Sequence, residues 1–144
     1  MKKPYERLMA YSRVNTMSDE NVEKSPTTKV QFDLANLLYK ELEELGVSDL
    51  YLDETCVLYG AIPATPGQET APAIGFIAHL DTAPDFSGID VKPLVHENYD
   101  GEDIHLPLCD RVIRVSDFPH LKEMKGKTVI TASGEAKLSP DFKR

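Results

Sequence analysis

Residues 73–85 read AIGFIAHLDTAPD, an apolar run that leads directly into His79 and Asp81. An uninterrupted apolar run predicts a strand buried on both faces, here over residues 73–78. Side chains two positions apart on an extended backbone point to the same face, so we expect the imidazole and the carboxylate to be neighbours. Functional groups of α/β proteins commonly lie where such a strand ends.

The pairing of His79 with Asp81 suits a metal site. A neutral imidazole is a good zinc ligand, and its second ring nitrogen commonly bonds a carboxylate that fixes the tautomer. The same spacing also occurs without metals, where the histidine bonds a backbone carbonyl and the aspartate caps a turn. The two residues alone therefore leave a metal site and a structural role open.

Helical patterns precede this run. Residues 4–13 are predicted to form a helix with Pro4 near its first position, and residues 15–26 a polar loop. A second helix is predicted to start around residues 25–28 and to end at Gly46. Its apolar face is formed by Leu34, Leu37, Leu38, Leu42 and Leu45.

Short strands are predicted around these helices. Residues 50–52 and 56–62 are rich in β-formers, and a helix followed by the buried run 73–78 indicates an α/β sandwich with a partly parallel sheet. After a loop-rich stretch at 85–108, the pattern predicts two further strands separated by a short helix or turn. These elements lie at residues 112–115, 118–124 and 127–131.

Composition narrows the class of protein. The 144 residues carry a net charge of −8 with no basic cluster, which argues against nucleic-acid binding. No apolar stretch approaches the roughly 20 residues of a membrane span. The first residues lack an apolar secretory segment, so we expect a soluble cytoplasmic protein.

The remaining histidines and the cysteines predict no second site. Cys56 and Cys109 are far apart in sequence and are expected to be reduced thiols. His96, His105 and His120 lie in polar contexts and are expected to have surface roles.

Residues 79–88, HLDTAPDFSG, resemble the signature of the peptidase T family, which comprises tripeptide aminopeptidases within the dinuclear zinc exopeptidases. Further similarity extends to about residue 131, at residues 5–8, 11–16, 25–27, 91–93 and 98–101. The resemblance implies that His79 binds one of two zinc ions and that Asp81 belongs to the catalytic site as the residue that orients His79. Asp141 falls in register with the family's bridging ligand, in a different local sequence. It is a candidate metal ligand, or else a terminal residue without a role.

The resemblance also implies fold and activity. Residues 1–144 would form the N-terminal part of an α/β/α catalytic domain with a mixed sheet, truncated before the remaining zinc ligands and the general base. The activity implied is removal of the N-terminal residue from tripeptides, with a short peptide as substrate. We expect the chain alone to be inactive or very weak, and its oligomeric state is open.

Two other functions stay open at this point. The chain could be a non-catalytic α/β module without bound metal. It could also come from a related dipeptidase or amino-acid deacylase, although residues 82–88 favour the tripeptide aminopeptidases.

Overall fold

The computed structural model describes residues 3–134, which form two compact units. Residues 15–84 form one, the continuous unit; residues 3–14 and 85–134 form the other, the discontinuous unit. The helices are α1 (Pro4–Tyr11), α2 (Gln31–Glu44) and a 3₁₀-helix (Pro119–Met124). The strands are β1 (Ser48–Leu52), β2 (Leu58–Ala61), β3 (Pro93–His96), β4 (Ile104–His105), β5 (Val112–Ile113) and β6 (Val129–Ala132). Among residues 3–134, no helix has the length and hydrophobicity needed to cross a membrane.

Helix α2 is the main helix of the continuous unit, and it packs on β1 and β2. Leu34 and Ala35 are buried on its inner face. The predicted C-terminus is confirmed, because Gly46 has a φ of +77° just beyond the last turn and its N–H donates to the Glu43 carbonyl. This left-handed conformation favours glycine. The helix begins at Gln31, later than predicted, because the threonine hydroxyls before it make other hydrogen bonds instead of capping the helix.

Strands β1 and β2 form an antiparallel hairpin, as predicted for this region. Asp53 closes its turn, since Oδ1 accepts hydrogen bonds from the Val57 N–H at 2.9 Å and from the Thr55 hydroxyl at 2.8 Å. These bonds hold the pKa of Asp53 below its ordinary value, and the bond from the Val57 N–H has the largest effect. Across the hairpin, the rings of Tyr51 and Tyr59 stack with centroids 6.2 Å apart.

The predicted buried strand at residues 73–78 is wrong for the described structure. These residues form no strand, and Ile74, Phe76 and Ile77 are 81%, 95% and 101% exposed. All residues from 61 to 79 are exposed. A strand buried on both faces needs neighbouring strands and two covering layers, and residues 3–134 place neither around this run.

The predicted mixed, partly parallel sheet also requires correction. Residues 3–134 contain three two-stranded sheets, and all three are antiparallel. The parallel pairing that does occur is an isolated bridge between Met17 and Thr82. The α/β character is confirmed, and its strands join as two local hairpins, β1–β2 and β4–β5, and one longer-range pair, β3–β6.

The discontinuous unit is built on two short sheets. Strand β3 pairs with β6, and β4 pairs with β5. Its core is a cluster of buried side chains, Tyr99, Ile104, Val115 and Leu121. The strands predicted around residues 112–115 and 127–131 and the helical turn at 118–124 are confirmed with small shifts in their bounds.

Candidate metal site

His79 and Asp81 are in direct contact. His79 Nδ1 lies 3.1 Å from Asp81 Oδ1. In the neutral imidazole, an Nδ1–H that donates to the carboxylate leaves Nε2 with its lone pair. The structure therefore brings together the two residues paired by the sequence motif, and it leaves one ring nitrogen able to bind a cation.

The contact lies on the surface. The His79 side chain is 83% exposed and that of Asp81 is 42% exposed. Exposed ion pairs contribute little and do not lock two side chains into one geometry. The position of this pair therefore depends on the backbone that carries it rather than on packing around the rings.

The backbone next to Asp81 is anchored to a distant segment at residues 16–18. The Thr82 N–H donates to the Thr16 carbonyl at 3.1 Å, and the Ser18 N–H donates to the Thr82 carbonyl at 2.9 Å. The Ser18 hydroxyl donates to the same carbonyl at 3.1 Å. Thr16 is only 2% exposed. This parallel bridge fixes the chain one residue beyond the His-x-Asp pair.

The anchoring segment is in turn connected to the start of α2. Thr28 Oγ1 donates to the Met17 carbonyl at 2.7 Å and accepts a hydrogen bond from Gln31 Nε2 at 3.2 Å. Gln31 is buried, and its amide also donates to Thr27 Oγ1 at 3.2 Å. We call these contacts, from Gln31 through Thr28 and residues 16–18 to Thr82, the threonine anchor.

Sequence reasoning missed the threonine anchor. Residues 15–26 were expected to be a polar loop, and Ser18 and Thr82 are 64 positions apart. The sequence offers only a group of serines and threonines as a signal, and such residues usually bond nearby backbone in turns.

The described residues do not complete a zinc site. Catalytic zinc usually has three protein ligands, and residues 3–134 contain no group of three or more His, Cys, Asp or Glu side chains able to hold a metal. The donor set therefore fits one ligand and its orienting acid. Asp141, the second predicted ligand, lies outside the described residues.

The other three histidines belong to the discontinuous unit. His96 Nε2 is 2.9 Å from Thr131 Oγ1 across the β3–β6 sheet, while His105 and His120 are exposed. Cys56 and Cys109 are both free thiols, as expected. Burial raises the pKa of Cys56, and the negative charge of the nearby Asp53 adds a smaller increase.

The chain is similar to curated bacterial proteins along nearly its whole length. It is 47% identical to a protein named peptidase T of Alkaliphilus oremlandii over 145 residues, covering 99% of this chain and 36% of that protein. Peptidase T proteins of Desulfitobacterium hafniense and Listeria welshimeri are 48% and 44% identical, with 33% of each covered. No protein-family profile matches the chain. The chain spans about a third of the length of the curated relatives it matches. The resemblance found in the sequence is confirmed: over that third, the chain is similar to curated proteins named peptidase T.

Proposed function

We propose that this chain supplies part of the metal site of a zinc-dependent aminopeptidase that removes the N-terminal residue from tripeptides. The observation that carries the proposal is the contact between His79 Nδ1 and Asp81 Oδ1 at 3.1 Å, which leaves Nε2 as a metal-binding atom. The name peptidase T, given to relatives 42–48% identical to this chain, supports a peptidase role.

Each residue has a limited task in this proposal. His79 binds zinc through Nε2, Asp81 holds the ring in the required tautomer, and the threonine anchor fixes the backbone beside them. When bound, zinc would supply a Lewis acid that lowers the pKa of a coordinated water. Asp141 is proposed as a second ligand on the basis of sequence register alone.

The proposal extends to the whole of residues 1–144. They would form a partial catalytic domain of the α/β/α type, with two zinc ions in the complete site. The substrate would be a short peptide, and the setting soluble and cytoplasmic. We expect the chain by itself to hydrolyse peptides very weakly or not at all.

A non-catalytic α/β module without metal is the second candidate. The exposure of the His79 side chain, at 83%, favours it, because a preformed ligand is usually better packed. A related dipeptidase or deacylase differs only in substrate, and it shares the same residue assignments.

Zinc binding distinguishes the two candidates. We would measure zinc affinity of the purified chain by equilibrium dialysis, together with His79→Ala, Asp81→Asn and His120→Ala, the last being an exposed histidine that serves as a matched control. We expect His79→Ala to abolish binding, Asp81→Asn to weaken it about tenfold or more, and His120→Ala to leave it unchanged. Equal binding by all four proteins, or none by the unaltered chain, would favour the metal-free module.

Peptide hydrolysis tests the expected inactivity separately. The chain would be incubated with a tripeptide, a dipeptide and an acylated amino acid in the presence of zinc or cobalt. Strong turnover that His79→Ala removes would contradict the expected inactivity but support the site. Turnover that survives His79→Ala would contradict the site itself.

A further inference from the structure

The carbonyl of Thr82 accepts two hydrogen bonds from one residue, Ser18. The Ser18 N–H donates at 2.9 Å and the Ser18 hydroxyl at 3.1 Å. A carbonyl oxygen has two lone pairs, so these two bonds use its full acceptor capacity. Serine hydroxyls commonly bond backbone that is close in sequence, whereas this hydroxyl reaches a residue 64 positions away. The two bonds together restrain the Thr82 carbonyl more than either bond would alone.

The backbone on both sides of Ser18 is held by threonine side chains. The peptide group before it contains the Met17 carbonyl, which accepts a hydrogen bond from Thr28 Oγ1 at 2.7 Å. The peptide group after it contains the Asp19 N–H, which donates to Thr27 Oγ1 at 3.1 Å. Peptide groups are planar, so bonds to both of them restrict the two backbone torsions of Ser18. The N–H and Cβ of Ser18 therefore point in defined directions.

The peptide group that joins Asp81 to Thr82 is held as well. Its N–H, that of Thr82, donates to the Thr16 carbonyl at 3.1 Å, and Thr16 is only 2% exposed. The Asp81 Cα lies in the plane of this peptide group. One backbone torsion and two side-chain torsions therefore separate the Asp81 carboxylate from anchored atoms.

The His79 ring depends on that carboxylate for its orientation. Its side chain is 83% exposed, and its Nδ1 lies 3.1 Å from Asp81 Oδ1. An exposed pair of this kind does not fix its own geometry. In a neutral imidazole, the hydrogen bond made by one nitrogen determines which nitrogen carries the proton. The tautomer of His79 should therefore respond to any change in the position of Asp81.

We propose that Ser18 is a positioning residue for His79. Ser18 acts through Thr82 and Asp81, and it keeps the proton of the neutral ring on Nδ1 so that Nε2 can bind a cation. The zinc-binding part of this role rests on the proposed function, whereas the tautomer of the metal-free chain does not. Partners that orient a metal-binding histidine directly change affinity by about 10- to 100-fold, and Ser18, which acts through two other residues, should have a smaller effect.

NMR of the metal-free chain tests this role. Long-range proton–nitrogen spectra, recorded with EDTA in alkaline buffer, distinguish an Nδ1–H ring from an Nε2–H ring, and His79→Ala identifies the signals of His79. The unaltered chain should carry mostly the Nδ1–H form, and Asp81→Ala should remove this preference. Ser18→Ala deletes one hydrogen bond of ordinary strength, so it should raise the ratio of Nε2–H to Nδ1–H by about two- to tenfold.

Ser48→Ala is the matched control. Ser48 Oγ donates to the Ala61 carbonyl at 3.1 Å within the same unit, so both alanine variants lose a bond of the same kind and length. Both should lower the free energy of unfolding to a similar extent, but only Ser18→Ala should change the tautomer ratio. Ser18→Thr retains a hydroxyl and should restore the ratio. Thr27→Val frees the Asp19 N–H and should shift the ratio in the same direction as Ser18→Ala.

Zinc affinity of the same proteins separates this role from the proposed function. Ser18→Ala should weaken zinc binding by about two- to tenfold, and Ser48→Ala should leave it unchanged. A chain that shows the expected tautomers but binds no zinc would support the role of Ser18 and contradict the metal site. Zinc binding through His79, with the same tautomer ratio before and after Ser18→Ala, would contradict the role of Ser18 and leave the metal site intact.

Two results of the NMR experiment would overturn the proposal. The first is an unaltered chain whose His79 ring carries its proton mainly on Nε2. The second is an equal tautomer ratio in Ser18→Ala and Ser48→Ala, because the bonds to Thr82 would then stabilise the fold without affecting His79. If Ser18→Ala does not fold, an unchanged ratio in Thr27→Val would overturn the proposal in its place.

Discussion

Replacing Thr28 by valine should loosen the backbone beside the His-x-Asp pair. The change keeps the shape of the side chain but removes the hydroxyl that donates to the Met17 carbonyl at 2.7 Å and accepts from Gln31 at 3.2 Å. A half-buried hydrogen bond contributes about 0.5–1.5 kcal/mol, and a buried partner left unsatisfied costs somewhat more. We therefore expect the free energy needed to open the threonine anchor to fall by about 1.4 kcal/mol. This corresponds to an increase of about tenfold in the equilibrium constant for opening.

Amide hydrogen exchange measures this opening residue by residue. The Thr82 N–H, which bonds the Thr16 carbonyl at 3.1 Å, should exchange about tenfold faster in Thr28→Val. Thr70→Val is the matched control, since Thr70 is exposed, and it should leave this exchange rate unchanged. Unchanged exchange at Thr82 in Thr28→Val would refute the claim that the start of α2 holds this backbone in place.

Three further predictions concern stability and reactivity. Leu34→Ala should lower the free energy of unfolding by about 3 kcal/mol in urea titrations, whereas Leu45→Ala, at a position 41% exposed, should cost about 1 kcal/mol or less. Similar losses from both would contradict the assigned inner face of α2. Hydrogen bonds within the turn hold the pKa of Asp53 below its ordinary 3.8. The ionised Asp53 carboxylate therefore stabilises the hairpin fully above pH 3.8, and this stabilisation is lost as the pH falls through the lowered pKa. The near-UV circular dichroism of the stacked tyrosines should follow that loss. A signal that declines already well above pH 3.8 would exclude Asp53 as the cause. Cys56 should react with iodoacetamide more slowly than Cys109, because Cys56 is buried and its pKa is raised. Mass spectrometry of single Cys→Ser variants would measure the two rates. Equal rates would contradict the burial of Cys56.

Local signals in the sequence predicted local structure well. Leucine spacing indicated α2, and Gly46 marked its end because a left-handed residue is needed there. Strands β1 and β2 followed from β-forming residues on either side of the turn at Asp53. The contact between His79 and Asp81 was also predictable. Side chains two positions apart on an extended backbone point to the same side, whether or not that backbone joins a sheet.

Features that depend on distant residues could not be predicted in the same way. Residues 73–78 have the composition of a central strand, yet burial requires partners, and composition alone cannot supply them. The bridge between Met17 and Thr82 joins segments that no periodic pattern connects. Thr28 looked like part of a helix start, but its hydroxyl instead bonds the Met17 carbonyl. In each of these cases, contacts between distant residues determine the structure in place of the preference of the local sequence.

The long exposed stretch at residues 61–79 makes the chain vulnerable to selective cleavage. Phe76, at 95% exposed, is an accessible target for a protease that cuts after aromatic residues, whereas trypsin has no Lys or Arg between Lys40 and Lys92. Chymotrypsin should therefore nick the protein here while trypsin spares the region. The cut would place His79 on a separate polypeptide, held to residues 16–18 of the continuous unit by the hydrogen bonds of Thr82 and no longer by the chain itself.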